Sequence, residues 1–210
     1  MMENDMTKKR CFWCNLKNPV YIAYHDTEWG VFPENEQKLY ELFILETFQA
    51  GLSWECILNK RENFRNAYDG FNMNKICTYG DKKIEELMKN PGIIRNRRKI
   101  TASINNTCVY KAITDEFGSF KAYLHSFTGG KVVSEPDVSI TTSTLSDVIS
   151  TDLKKRGMTF VGSTTIYAFL QAVGVINAHS EDCFCYENEM RKHNHRKEVN
   201  TDVQSPKKID

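Results

Sequence analysis

An all-α fold is predicted for this chain by two features of its sequence. Apolar residues recur at three- and four-residue spacing through most of its length, and Gly, Pro and Asn break that periodicity into helix-sized pieces. From Glu36 to Ala50, Leu39, Leu42, Phe43 and Leu45 keep helical spacing, Gly51 interrupts, and Trp54, Ile57, Leu58, Phe64 and Tyr68 resume it, so two helices are expected to meet at AGLSW. Asp81 to Lys89 reads as a short helix stopped by Asn90, Pro91 and Gly92, and Arg97, Ile100, Ile104, Cys108 and Ala112 mark a longer one. Phe120, Tyr123, Leu124 and Phe127 add another. Residues 128–144, TGGKVVSEPDVSITTST, form the main linker, with a small strand in its Val and Ile residues. Leu145, Val148, Ile149 and Leu153 predict a helix ending at Lys154, Lys155, Arg156 and Gly157, where cations suit the negative end of its dipole. After the turn GMTFVG, Ser163 is the expected N-cap of a last helix whose face is Ile166, Phe169, Leu170 and Val173.

Residues 1–10 and 187–210 are polar and charged without apolar periodicity and are expected to be disordered tails, leaving one folded domain at 11–186. There are 28 Lys and Arg residues against 27 Asp and Glu, so an anionic partner would have to be met by a local basic patch and not by a global field. No apolar run approaches the ~20 residues needed to cross a bilayer, and the start MMENDMTKKR has no signal-peptide core. A soluble, intracellular protein is expected, cytoplasmic in a bacterium and nuclear in a nucleated cell. The cysteines at 11, 14, 56, 77, 108, 183 and 185 are odd in number and lack a secretion signal, which argues against a disulfide framework and for metal binding by some of them. Cys56, Cys77 and Cys108 read as small core residues.

Four local patterns carry chemistry. The decapeptide YIAYHDTEWG, Tyr21 to Gly30, gathers aromatics, a histidine and two carboxylates in a turn-flavoured stretch, and reads as the wall of a pocket. His179 and Cys183, four residues apart, would share a face on one helical turn and supply half of a zinc site; Cys11, Cys14 and His25 are candidates for the other half, with Cys-x2-Cys spacing favouring Cys14 beside Cys11. LKKRGMTFVGSTT is either an ordinary αα-hairpin or a phosphate cradle built from the amides of Gly162, Ser163 and Thr164 beside Lys154, Lys155 and Arg156; IIRNRRKI holds a second basic cluster at Arg95, Arg97, Arg98 and Lys99. Glu46 sits among Phe43, Leu45 and Phe48, either salt-bridged or capping, or held in an aromatic pocket for a cationic or hydrogen-bond-donating ligand, while Glu41 is expected to face water.

CFWCNLKNPVYIAYHDTEWG, LETFQAGLSW, GIIRNRRKI, and LKKRGMTFVGSTTIYAFLQAVGVIN followed by HSEDCFCY occur in one order and register from about Cys11 to Tyr186, and in this the chain resembles the bacterial-type 3-methyladenine DNA glycosylase I family. The resemblance implies a helix-hairpin-helix DNA glycosylase fold with a structural Zn2+ site joining the N- and C-terminal regions. It implies excision of N3-methyladenine from alkylated double-stranded DNA by a monomer, leaving an abasic site. IYAFLQAVGVIN has no Lys to form a Schiff base, which favours a monofunctional hydrolase without lyase activity. The family's zinc ligands fall on Cys11, His25, His179 and Cys183, leaving Cys14 and Cys185 as spare thiols. Its base pocket falls on Trp13, Tyr21, Tyr24, Trp29, Glu46 and Trp54, with Glu46 the key polar residue. Leu52 would fill the gap left in the base stack, and Lys155, Gly162, Ser163 and Thr164 would hold phosphates. The chain departs from the family pattern at Thr47 and Phe48, where Gly and Gln are expected, and in its charged C-terminal tail.

Overall fold

The computed structural model describes residues 8–135, 137 and 139–186; the expected tail at 187–210 and residues 1–7 lie outside them. The first surprise is local. YIAYHDTEWG is largely helical: α1 (Pro19–Thr27) starts where Pro occupies its first turn and the Asn18 side chain accepts from the Val20 amide, so the turn expected here is corrected to a helix. Its inward face is Tyr21, Tyr24 and His25, a three-then-four spacing that aromatic and polar side chains disguise.

α2 (Glu36–Gln49), capped by Asn35, is the central helix, buried on every side from Leu39 to Phe48. The single helix expected after AGLSW is two, α3 (Trp54–Leu58), capped by Ser53, and α4 (Arg61–Ala67), which restarts after Asn59 and Lys60. A 3-10 turn (Asp69–Phe71) and α5 (Met73–Ile76) follow, neither marked by periodicity long enough to read. α6 (Asp81–Lys89) ends at Asn90 as expected, and α7 (Arg97–Phe117) and α8 (Phe120–Thr128) each stop at a left-handed Gly. In the linker, β1 (Val133–Ser134) pairs in parallel with β2 (Ile176–Asn177), so the mostly helical fold carries one short ladder. α9 (Thr144–Lys155) opens with a Ser143/Ser146 capping box, and α10 (Ser163–Ala172) packs on both α9 and α2.

Ser163 is not the cap of α10; Gly162 is, and the Ser163 hydroxyl instead meets Ser146 Oγ at 2.8 Å and Asp147, stapling α10 to the start of α9. The expected stripe on α7 holds at buried Ile100 and half-buried Ile104 but is otherwise one step off. Its buried face is Ser103, Asn106, Thr107 and Tyr110, with hydroxyls paired to Tyr68 and Tyr40 and the Asn106 amide exchanging two bonds with the Thr159 backbone. Polar residues that satisfy one another are invisible to an apolar-period search. Cys108 and Ala112 therefore point outward, and Cys56 and Cys77 are half-buried, so none of the three cysteines is core. Glu41 does not face water: it is buried against Arg61 and Arg65, each within 2.8 Å. Two residues of the expected N-terminal tail touch the folded part: the Lys9 carbonyl accepts from Phe184 N, and Arg10 pairs with Asp26. Among the described residues no helix is long and apolar enough to cross a membrane.

Two glycines let the chain ends meet. Gly30 and Gly174 both have positive φ, 80° and 66°, and a Cβ on Gly174 would lie 2.1 Å from the Gly30 carbonyl oxygen. Gly174→Ala is expected to cost about 3 kcal/mol or more, since both the backbone and the contact oppose it. Urea unfolding of the variant beside the parent checks this; a midpoint unchanged within error would show that the crossing relaxes freely.

Candidate active site and metal centre

α1, the turn before it, α2 and α3 converge on a cavity of about 160 Å³. All six residues expected at a base pocket line it: Trp13, Tyr21, Tyr24, Trp29, Glu46 and Trp54. The rings pack on one another, Trp13 edge-on to Trp29 at 4.6 Å, Tyr24 against Trp54 at 5.3 Å, and Tyr21 stacked on Tyr24 at 6.5 Å, so the wall is formed before any ligand arrives. Burial pushes the Tyr21 phenol up to about 12 and Tyr24 well above its ordinary range, keeping both neutral hydrogen-bonding groups.

Glu46 enters from α2 and is 3% exposed. Its Oε2 has no hydrogen-bond partner, and neither has Trp54 Nε1, so an acceptor and a donor stand unpaired in the wall of one cavity. Buried polar atoms are normally satisfied, and two orphans facing a cavity are what a ligand with matching groups would complete. Desolvation alone raises the Glu46 carboxyl to about 8, so the salt-bridge and capping readings of this residue do not hold. Three further lining residues were not foreseen. Gln49 lies one turn beyond Glu46 and could have been found by helical spacing; Ala168 and Gln171 come from α10, and only the packing of α10 on α2 brings them here.

Behind the Trp13–Trp29 wall lies a buried cluster of Cys11, His25, His179 and Cys183, whose donor atoms are all within 4.8 Å of one another. Cys11 Sγ is 3.5 Å from His179 Nδ1, and Cys183 Sγ is 3.5 Å from His25 Nε2 and 3.6 Å from His179 Nδ1. Bonds of about 2.0–2.3 Å to a tetrahedral ion place donors about 3.3–3.8 Å apart, so the set fits a four-coordinate metal without a large shift. Cys14 is excluded: its Sγ turns to the Tyr21 carbonyl at 4.0 Å, so the Cys-x2-Cys pairing is corrected in favour of His25. His179 and Cys183 converge without the expected helical turn, since 179–183 is a non-helical loop closed by a Cys183 N to Ser180 O bond. His25 Nδ1 meets Asp26 Oδ1 at 2.8 Å and Arg10 Nη2 reaches Asp26 Oδ2 at 2.7 Å, which orients the ring as an outer shell orients a ligand. Cys185 hydrogen-bonds Cys183, and its thiol is pushed up, first by that bond and then by burial. Trp29 stands edge-on to His179 at 4.5 Å, so the cluster props the pocket wall.

The basic candidates divide. Lys154 and Lys155 are exposed at the end of α9, beside the α10 N-terminus, which has no side-chain cap; Arg156 is tied to Asp152 and Glu116. Of the second cluster, Arg95 and Arg98 are exposed, Arg97 pairs with Glu85, and Lys99 is buried. Leu52, 40% exposed, projects from the turn between α2 and α3.

A sequence model described as methyladenine glycosylase matches residues 13–186. The chain is similar to DNA-3-methyladenine glycosylase 1 of Escherichia coli (strain K12), 42% identical over 186 residues that cover 85% of this chain and 97% of that one. It is similar to a crystal structure of 3-methyladenine DNA glycosylase I with TM-score 0.80 and 41% identity, covering 85% of this chain and all of that one. A structure of the Staphylococcus aureus enzyme, which concerns recognition of 3-methyladenine, superposes with TM-score 0.76 at 35% identity, covering 80% of this chain and 92% of that one.

Proposed function

Because the chain belongs to the methyladenine glycosylase family, we propose that it removes 3-methyladenine from alkylated double-stranded DNA by hydrolysing the N-glycosidic bond. The observation that carries this reading is the unpaired Glu46 carboxyl in an aromatic cavity. N3-methylation makes the base in DNA a cation, and a flipped cationic purine meets the π-faces of Tyr21, Tyr24, Trp13, Trp29 and Trp54 more favourably than neutral adenine does. Its charge ionises Glu46, and the carboxylate then accepts from the base edge, so selection is by charge and by donor pattern.

In the reaction the C1′–N9 bond breaks with both electrons going to N9, the released base becomes neutral, and water adds to C1′ and gives up a proton, leaving an abasic site. The positive base is already a good leaving group, so holding the flipped nucleotide in the pocket accounts for most of what the protein must supply. IYAFLQAVGVIN offers no amine for a Schiff base, in keeping with a monofunctional hydrolase. The α9–turn–α10 unit acts as a helix-hairpin-helix, with the amides of Gly162, Ser163 and Thr164 and the ammonium of Lys155 on the DNA backbone. Leu52 fills the space that the flipped base leaves. Cys11, His25, His179 and Cys183 hold a structural Zn2+, which fastens the pocket loop to the C-terminal segment. Residues 11–186 work as one domain and one monomer.

Purified protein incubated with methylated duplex is expected to release free 3-methyladenine, with little 7-methylguanine. A folded, DNA-binding sample that releases no base would overturn the enzymatic reading.

A further inference from the structure

We infer that Lys99 is the positioning residue for the Leu52 turn: from the first turn of α7 its ammonium holds the end of α2 so that the turn presents Leu52 to the duplex. The inference rests on the glycosylase reading above and adds to it a residue outside the pocket and the hairpin.

Lys99 Nζ donates to the carbonyls of Phe48 at 2.8 Å and Ala50 at 2.5 Å. The side chain is buried, yet the partners found for it are two carbonyl oxygens and no carboxylate. A buried ammonium needs compensation, and the C-terminus of a long helix supplies it: its last carbonyls lack intrahelical donors and carry the negative end of the dipole. α2 has no basic residue in its own last turn, so the cation that caps it comes from α7. The chain then leaves α2 through Ala50 at φ −43° and ψ 113° and Gly51 at φ 77°, and Leu52 N returns to Gln49 O at 2.6 Å. Ser53 caps α3 on the far side. Leu52 is thus an exposed apolar side chain on a four-residue turn whose base is clamped by Lys99.

Of the four cations in IIRNRRKI, Lys99 alone is turned inward, while Arg95 and Arg98 stay exposed next to it in sequence. The basic cluster therefore has two jobs, of which only the outer one concerns phosphates. The clamp acts on the wedge and leaves most of the cavity wall in place, since Glu46 lies within α2 before the turn and Trp13, Tyr21, Tyr24 and Trp29 come from the segment that ends at Gly30. Losing it is expected to affect duplex substrates and spare binding of the free base.

Lys99→Met, Lys99→Arg, Leu52→Ala and the Lys99→Met/Leu52→Ala double variant test this in the full chain. Two quantities are read: release of 3-methyladenine from methylated duplex, and equilibrium binding of free 3-methyladenine followed by tryptophan fluorescence. Lys99→Met is expected to lower kcat/KM on duplex about tenfold or more, a scale typical of a misplaced positioning group, and to leave free-base affinity within about twofold. Lys99→Arg, which also offers two donors, is expected to recover most of the loss. The double variant is expected to be no slower than Leu52→Ala within about twofold, because two residues acting through one element are not additive. Unchanged duplex activity in Lys99→Met, a parallel loss of free-base binding, or fully additive losses would each overturn the inference while the glycosylase reading stands. A parent protein that releases no base would overturn both.

Discussion

Glu46→Gln is expected to abolish most base excision, by about a hundredfold or more, while DNA binding survives and the fold becomes more stable. The stability sign follows from the direction of the shift. The folded carboxyl titrates near 8 against 4.5 for an ordinary Glu, so between those values the unfolded chain has lost a proton that the folded one retains. Stability therefore falls as pH rises through that window, by an amount on the order of 3 kcal/mol at pH 7, and is level below about 4.5 and above about 8. Gln carries no charge to desolvate, so the variant should gain roughly 1–3 kcal/mol over the parent at pH 7 and almost nothing at pH 4.5. Denaturant midpoints at several pH values measure this; equal pH dependence in parent and variant would show that Glu46 is not the titrating group. Activity has the opposite trend. Because the ionised carboxylate favours the cationic base, kcat/KM of the parent should rise with pH and level off above about 8, and the residual activity of the variant should lack that step. On this reading function is bought with stability: the carboxyl proposed to select the base is a liability to the empty fold.

Stripping the metal, or replacing a ligand with Cys183→Ser, is the second large effect expected. The four donors come from the pre-α1 turn, α1 and the loop after β2, so a bound ion closes a loop spanning nearly the whole domain. Metal binding at a structural site is folding free energy, and loss of several kcal/mol, a fall in Tm of more than about 10 °C, is expected on chelation. The pocket should suffer with it, because Trp13 lies 5.2 Å from the His25 ring and Trp29 4.5 Å from His179, so free 3-methyladenine should bind more weakly as well. Elemental analysis supplies the first check: one Zn per chain is expected, and protein that melts as usual with no stoichiometric metal would refute the site. Cys14→Ser, which lies outside the four-donor set, should retain its metal.

The central helix was legible because Leu39, Leu42, Phe43 and Leu45 repeat at its period and Gly51 interrupts it. The ends of α6 and α8 were legible for a related reason, since Pro, Gly and Asn act through their own backbones. The residues alone marked YIAYHDTEWG and Glu46 as pocket wall and left Cys11, Cys14 and His25 open beside His179 and Cys183; only the family resemblance completed the pocket set and preferred His25. Spacing by itself paired Cys11 with Cys14 and placed 179–183 on a helix, and the structure has neither.

What the tertiary structure decided were the features that depend on residues far apart in the chain. Glu46 and Glu41 lie on one helix with similar neighbours, yet Arg61 and Arg65 from α4 neutralise Glu41 while Glu46 meets a cavity, so one is structural and the other available to a ligand. The inward turn of α7 hides behind Ser, Asn and Thr, because a hydroxyl or amide is as good a core residue as Leu once Tyr40, Tyr68 or a backbone group answers it. Ser163 reads as a cap until Asp147 claims its hydroxyl, and Lys99 reads as one more surface cation until the end of α2 is placed over it. Local periodicity and turn chemistry are written in neighbouring residues and survive in the sequence; the state of a charge depends on what desolvates or pairs it, and that is settled by contacts 20 to 168 residues away.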